Sequence, residues 1–111
     1  MGTAIYGSYD ELVFELSIGD RFRNGMAPRT VRMHLVDIVH VRSADPAHLV
    51  TWPGERLLRI GRPRDRRRVV VLELGGPSAG YDRIVVNVDD ADEAVAGLHR
   101  SGIGRGAPVA A

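Results

Sequence analysis

Arginine is the residue type best placed to do chemistry in this chain. Residues 61–68 read GRPRDRRR, and Arg62, Arg64, Arg66, Arg67 and Arg68 stand just ahead of the apolar run VVVLEL. Guanidinium forks match the oxygens of phosphate and carboxylate groups. The cluster is therefore a candidate site for anionic membrane lipid or another phosphate-bearing partner. A solvated turn accounts for the same residues more simply. Charge beside a very apolar strand discourages edge pairing, and Pro63 and Asp65 are turn formers. All fifteen basic residues are arginine, but they are spread along the chain, as a codon bias toward Arg, Ala, Gly and Val would leave them.

The other reactive types are scattered. His34, His40, His48 and His99 show neither HExxH nor His-x-His spacing, so no metal site is expected; His34 and His40 are placed on neighbouring strands. Asp89, Asp90, Asp92 and Glu93 lack the glycine and the twelve-residue spacing of a calcium loop, and helix capping explains them. The run GGPSAG at 75–80 has no following lysine and opens no helix, so it is a strand connection rather than a phosphate cradle. Ser17, Ser43 and Ser101 lack a nucleophile-elbow context. The chain has no cysteine, which removes disulfides and thiolate chemistry. No catalytic, cofactor or metal residue is assigned, and an enzyme is not expected. Trp52, the single tryptophan, sits beside Pro53 in a loop; it lies over the core edge or anchors a partner. Tyr6, Tyr9 and Tyr81 carry the same pair of roles.

Bulk properties narrow the class. With 111 residues and 44% apolar content the chain is one globular domain. A net charge of +1 gives no basic field of the kind that nucleic-acid binders carry. No apolar run reaches membrane-spanning length and the first residues do not resemble a secretory signal, so a cytoplasmic protein is the expectation.

The elements that must position these residues show mostly two-residue periodicity. Leu12, Phe14 and Leu16 alternate with Glu11 and Glu15; Val31 and Met33 with Arg32 and His34; Val39 and Val41 with His40 and Arg42; Leu58 and Ile60 flank Arg59. Val70, Leu72 and Leu74 make one face of a strand whose other face, Val69 and Val71, is apolar too. Ile84, Val86 and Val88 oppose Arg83, Val85 and Asn87. With a short strand at 3–6, seven strands of antiparallel type are predicted. The arginine cluster is placed at the bend of a hairpin joining 57–60 to 69–74. Residues 17–25 have room for a single helical turn, and Pro53-Gly54 for a type II turn. The segment DADEAVAGLHRSG reads as a helix, with Asp90 as N-cap, Glu93 at the third position, Gly102 at the C-terminal end and a stripe of Ala91, Ala94, Val95 and Leu98.

The wording ELVFELS (11–17), VRMHLVDIVHVRSADP (31–46), VVVLEL (69–74) and YDRIVVNVDDADEAVAGL (81–98) resembles small pleckstrin-homology-like (PH-like) proteins of high-GC bacteria. The resemblance implies a mainly β, α+β fold: a bent sheet or barrel of about seven antiparallel strands closed by a C-terminal helix. That domain would occupy residues 1–103, with 104–111 as a flexible tail. It implies no particular activity. The familiar basic first hairpin of phosphoinositide-binding members is replaced here by acidic YGSYDE.

The expected role is a non-catalytic protein- or peptide-interaction module, self-association included. It would use an exposed strand edge and an apolar outer face of Val69, Val71 and Val85 beside Arg66–Arg68. The alternative is weak binding to anionic lipid through the arginine loop. A small-ligand carrier using a barrel mouth ranks below both.

Overall fold

A computed structural model describes residues 3–7, 10–61, 68–75 and 80–103. Among them are seven strands and two α-helices, besides two short 3-10 turns: β1 (Ala4–Gly7), β2 (Glu11–Glu15), α1 (Ile18–Arg23), β3 (Thr30–His34), β4 (Ile38–Ala44), β5 (Leu57–Ile60), β6 (Val69–Leu74), β7 (Arg83–Asn87) and α2 (Ala91–Arg100). The protein is mixed α+β and mostly sheet. All seven expected strands and the C-terminal helix are present.

Among the described residues the strands form two sheets, and no barrel closes. Sheet A has the order β1-β2-β3, both pairs antiparallel. Sheet B has the order β4-β6-β7-β5. Its β4–β6 and β6–β7 pairs are antiparallel, but β5 and β7 run parallel, Leu58 opposite Ile84 and Ile60 opposite Val86. This corrects the uniformly antiparallel expectation and the 57–60 to 69–74 hairpin. β7 lies between β5 and β6, so residues 62–67 join strands that are not paired. The reason is visible in β6, buried on both faces from Val69 to Leu72. Such a strand belongs in the middle of a covered sheet, hydrogen-bonded on both sides, not on one arm of an exposed hairpin.

The main core fills the space between the sheets. Phe14, Met33, Val41, Leu58, Leu72 and Ile84 are almost fully buried there, with α2 closing the cluster through Ala91 and Val95 and with Leu98 packed against it. The α2 ends form as their residues dictate. Asp90 accepts a hydrogen bond from the Glu93 amide at 3.0 Å. At the other end Gly102 adopts φ 81°, and Ile103 N–H reaches back to the Leu98 carbonyl at 3.0 Å, a Schellman closure.

A second apolar cluster, Ala44, Val69, Val71 and Val85, lies on the opposite face of sheet B, with Leu49 and Leu57 packed on it. The apolar outer face expected to be free is therefore covered by the protein's own 45–57 segment. Val69, Val71 and Val85 are at most 2% exposed and present no surface to a partner. The alternation read in β4 also fails at one position. The register slips between Ile38 and His40, a bulge that turns Val39 outward to 42% exposure while Ile38 takes the core position.

Candidate functional site

Strand edges decide where this fold can receive another chain, because an unpaired edge presents a row of free N–H and C=O groups. In sheet B both edges are occupied by side chains. On β5, the Asn24 side chain acts as a missing strand: its Nδ2 donates to the Arg59 carbonyl at 2.6 Å and its Oδ1 accepts from the Arg59 amide at 2.7 Å. Two residues on, and so on the same side of the strand, the Gly61 amide donates to Asp20 Oδ1 at 3.1 Å. On β4, His99 Nε2–H donates to the Val41 carbonyl at 2.9 Å and Arg68 Nη2 to the Ser43 carbonyl at 3.0 Å.

α1 can cap β5 because it is anchored at both ends. Ser17 is its N-cap, accepting from the Asp20 amide at 3.1 Å. After Arg23 the chain turns through two left-handed residues, Gly25 (φ 67°) and Met26 (φ 64°), and the amides of Met26 and Ala27 return to the Arg21 carbonyl. Asp20 is the hub. Buried to 1% exposure, its carboxylate accepts from Thr3 Oγ1, Arg23 Nη2 and the Gly61 amide. Burial alone would raise its pKa, but the hydrogen bonds from Thr3, Arg23 and Gly61 outweigh that and hold it below the ordinary carboxylate value.

Sheet A is different. β3 carries the exposed polar side chains Arg32 and His34, with Pro28 ahead of the strand. β1, AIYG, carries no charge, pairs only with β2 and has no cap among the described residues. Beside it opens a groove of about 1330 Å3 where the two sheets fail to join. Thr3, Ala4 and Ile5 form one wall and α1 another, with Leu16, Val86 and Val88 among the apolar lining. Ile18 of α1 lines the groove and is 71% exposed; one turn on, Phe22 is 64% exposed, and Met26, beyond the helix, 60%. Arg21, Arg23 and Arg29 also line the groove. Arg21 donates through Nε to the Ala27 carbonyl at 2.9 Å, and no described residue pairs with the Arg29 guanidinium.

The residues singled out from sequence fall elsewhere. Arg62, Arg64, Arg66 and Arg67 lie outside the described residues, as do Tyr9 and positions 76–79. Arg68 is turned onto its own fold, donating to Ser43 Oγ at 2.7 Å and standing 3.5 Å from Asp92. Trp52 is half exposed and lies over the Arg83 guanidinium, 4.7 Å from the ring centroid. Arg83 is itself buried, ion-paired with Glu55 and donating to the Val50 carbonyl at 2.7 Å; the hydrogen bond with Glu55 raises its pKa. The other Glu55 oxygen, Oε2, is buried without a partner among the described residues. This Trp52–Arg83–Glu55 stack fixes the loop that covers Val69, Val71 and Val85. The loop turns at Pro53-Gly54 as expected: Gly54 has φ 82° and the Glu55 amide meets the Trp52 carbonyl at 3.1 Å. His34 and His40 are on different sheets rather than neighbouring strands. Among the described residues no three of His, Asp and Glu gather as metal ligands, and no helix is long and apolar enough to cross a membrane.

No family model, curated protein or solved structure matches the chain.

Proposed function

We propose that the protein is a non-catalytic interaction module that receives an extended segment of another protein by strand addition along β1. One observation carries this proposal: β1 is uncharged and uncapped among the described residues, beside an apolar groove, while both edges of sheet B are closed by dedicated side chains. Main-chain hydrogen bonds along such an edge supply affinity, and the groove admits alternate side chains. The two deeply buried acids, Asp20 and Glu55, are bound to Arg23 and Arg83 and hold the fold together. A PH-like kinship belongs to the same proposal. Two packed sheets followed by a helix support it; the parallel β5–β7 pair departs from it.

The test compares the wild type with Ile18→Asp/Phe22→Asp as baits in the native host. Both positions are exposed, so the variant is expected to fold, checked by its thermal transition. A partner held by the wild type and lost by the variant supports the module. Equal capture by both removes the groove from the interaction. Binding that requires anionic vesicles, and survives the double variant, supports the lipid alternative at residues 62–68 instead.

A further inference from the structure

We infer that the segment accepted at β1 is acidic: an extended stretch of about six residues in which apolar side chains alternate with Asp or Glu. The inference rests on the proposed strand addition and adds the chemistry of the partner. Its basis is the charge balance of the groove. Five charged side chains line the groove, Arg21, Arg23, Arg29, Glu15 and Asp20; Arg23 and Asp20 neutralise each other as an ion pair, which leaves Arg21 and Arg29 against Glu15. Asp20 is saturated by three donors from within the fold and offers nothing to a ligand. The Arg29 guanidinium is exposed and unpaired among the described residues. Arg21 commits its Nε to the Ala27 carbonyl and keeps its terminal nitrogens for further bonds.

The periodicity of the partner follows from the groove. Successive side chains of a strand point to opposite faces. On β1, Ile5 stands opposite the core residue Phe14, so its face is the inner one, and a strand added beside it would present every second side chain to Ile5, Leu16, Ile18 and Val88. Those positions require apolar residues. The intervening side chains lie toward the rim, where an arginine fork can take a carboxylate bidentately. A lysine-bearing segment would set like charges together in a partly desolvated groove, a cost that selects against it.

The experiment uses three fluorescein-labelled eight-residue peptides with the full chain: alternating Val/Glu, alternating Val/Lys, and the Val/Glu peptide N-methylated on alternate backbone nitrogens. The Val/Glu peptide is expected to raise anisotropy, to bind about tenfold more weakly to Arg29→Glu than to wild type, to recover with Arg29→Lys, and to weaken with salt. Hydrogen exchange should slow at the outer amides of β1. The N-methylated peptide should not bind. Equal binding of the Val/Lys peptide, or no effect of Arg29→Glu, overturns the acidic preference. Binding of the N-methylated peptide overturns strand pairing. If no peptide binds while the Ile18→Asp/Phe22→Asp bait still loses its partner, the acidic inference falls and the module stands. If β1 is protected in the free chain and light scattering shows a dimer, a second copy fills the edge and the inference also falls.

Discussion

Sheet A and sheet B face the same hazard and treat it differently. A four-stranded sheet and a three-stranded sheet each end in two strands whose outer backbone groups need partners or protection. Sheet B meets this with specific side chains: Asn24 and Asp20 on β5, His99 and Arg68 on β4. Sheet A has the exposed polar side chains of Arg32 and His34 on β3, and on β1 neither charge nor cap among the described residues. The difference teaches that an edge can be closed at low cost in this fold. α1 is only six residues long, yet it and its C-cap reach β5 with two polar side chains, Asp20 and Asn24. An edge without such a cap among the described residues, beside an apolar groove, is the contrast on which the proposed strand addition rests.

The largest way to break the comparison is to remove what holds sheet B's cover in place. Arg83→Met leaves the Glu55 carboxylate buried with no cation and releases the contact with Trp52. Stability is expected to fall by about 3–5 kcal/mol, read from urea midpoints. The loop over Val69, Val71 and Val85 should then bind an apolar dye, because the second cluster loses its lid. Adding Glu55→Gln to Arg83→Met should recover part of the loss, since the stranded charge is gone.

Next in size is the α1 hub. Asp20→Ala strips the acceptor from Thr3, Arg23 and Gly61, and about 2–4 kcal/mol should be lost. The pH dependence has a definite sign. The folded pKa of Asp20 is depressed below its unfolded value, so its contribution is full above the unfolded pKa of about 4. It is lost as pH falls through the lower folded value. Wild type should lose stability on acidification below about pH 4 more steeply than Asp20→Asn, and the two curves should run parallel above about pH 5. A steeper acid limb in Asp20→Asn would contradict the assignment.

Asn24→Ala sharpens the contrast most directly. It leaves the Arg59 amide and carbonyl without their side-chain partner and should cost about 1–2 kcal/mol. It also converts β5 into a second open edge. Light scattering should show association in this variant at concentrations where the wild type shows less, and the Arg59 amide should exchange faster. If Asn24→Ala changes neither exchange nor association, the cap is not what keeps β5 from pairing.

Much of this architecture was legible in the residues because burial and alternation coincide. Met33, Leu58, Ile84 and the α2 stripe stand where a period of two or of three to four puts them. Pairing was not legible. A strand's pattern says which face is buried, but not which neighbour lies beside it. The parallel β5–β7 pair therefore escaped, although the two-sided apolar character of Val69–Leu72 already spoke for a central strand. The β4 bulge at Val39 escaped for a related reason, since alternation assumes an unbroken register. The candidate site was hardly legible at all. Gly19 and Gly25 speak against a long helix at 17–25, and a single turn is too short for the four-residue spacing of Ile18 and Phe22 to stand out as one helix face. Asn24 carries no pattern, since its value lies in reaching a strand 35 positions later in the chain.

The smallest expected effect concerns Met26, where the open side of the molecule carries a local strain. Met26 sits at φ 64°, the one described residue other than glycine with positive φ. A side chain with a Cβ costs roughly 1–2 kcal/mol in that region, whereas glycine enters it freely but gives up about 0.5–1 kcal/mol of unfolded-state entropy. The difference favours Met26→Gly by about 0.5 kcal/mol, provided the side chain makes no compensating contact, and at 60% exposure it makes few. If the exposed Met26 side chain extends the surface offered by Ile18 and Phe22, its removal trades partner contact for backbone relief. Met26→Gly should therefore raise the urea midpoint slightly while weakening partner capture along the Ile18–Phe22 stripe. A variant that lowers the midpoint, or that captures partner as wild type does, places Met26 outside the groove's working surface and confines that surface to α1 and β1.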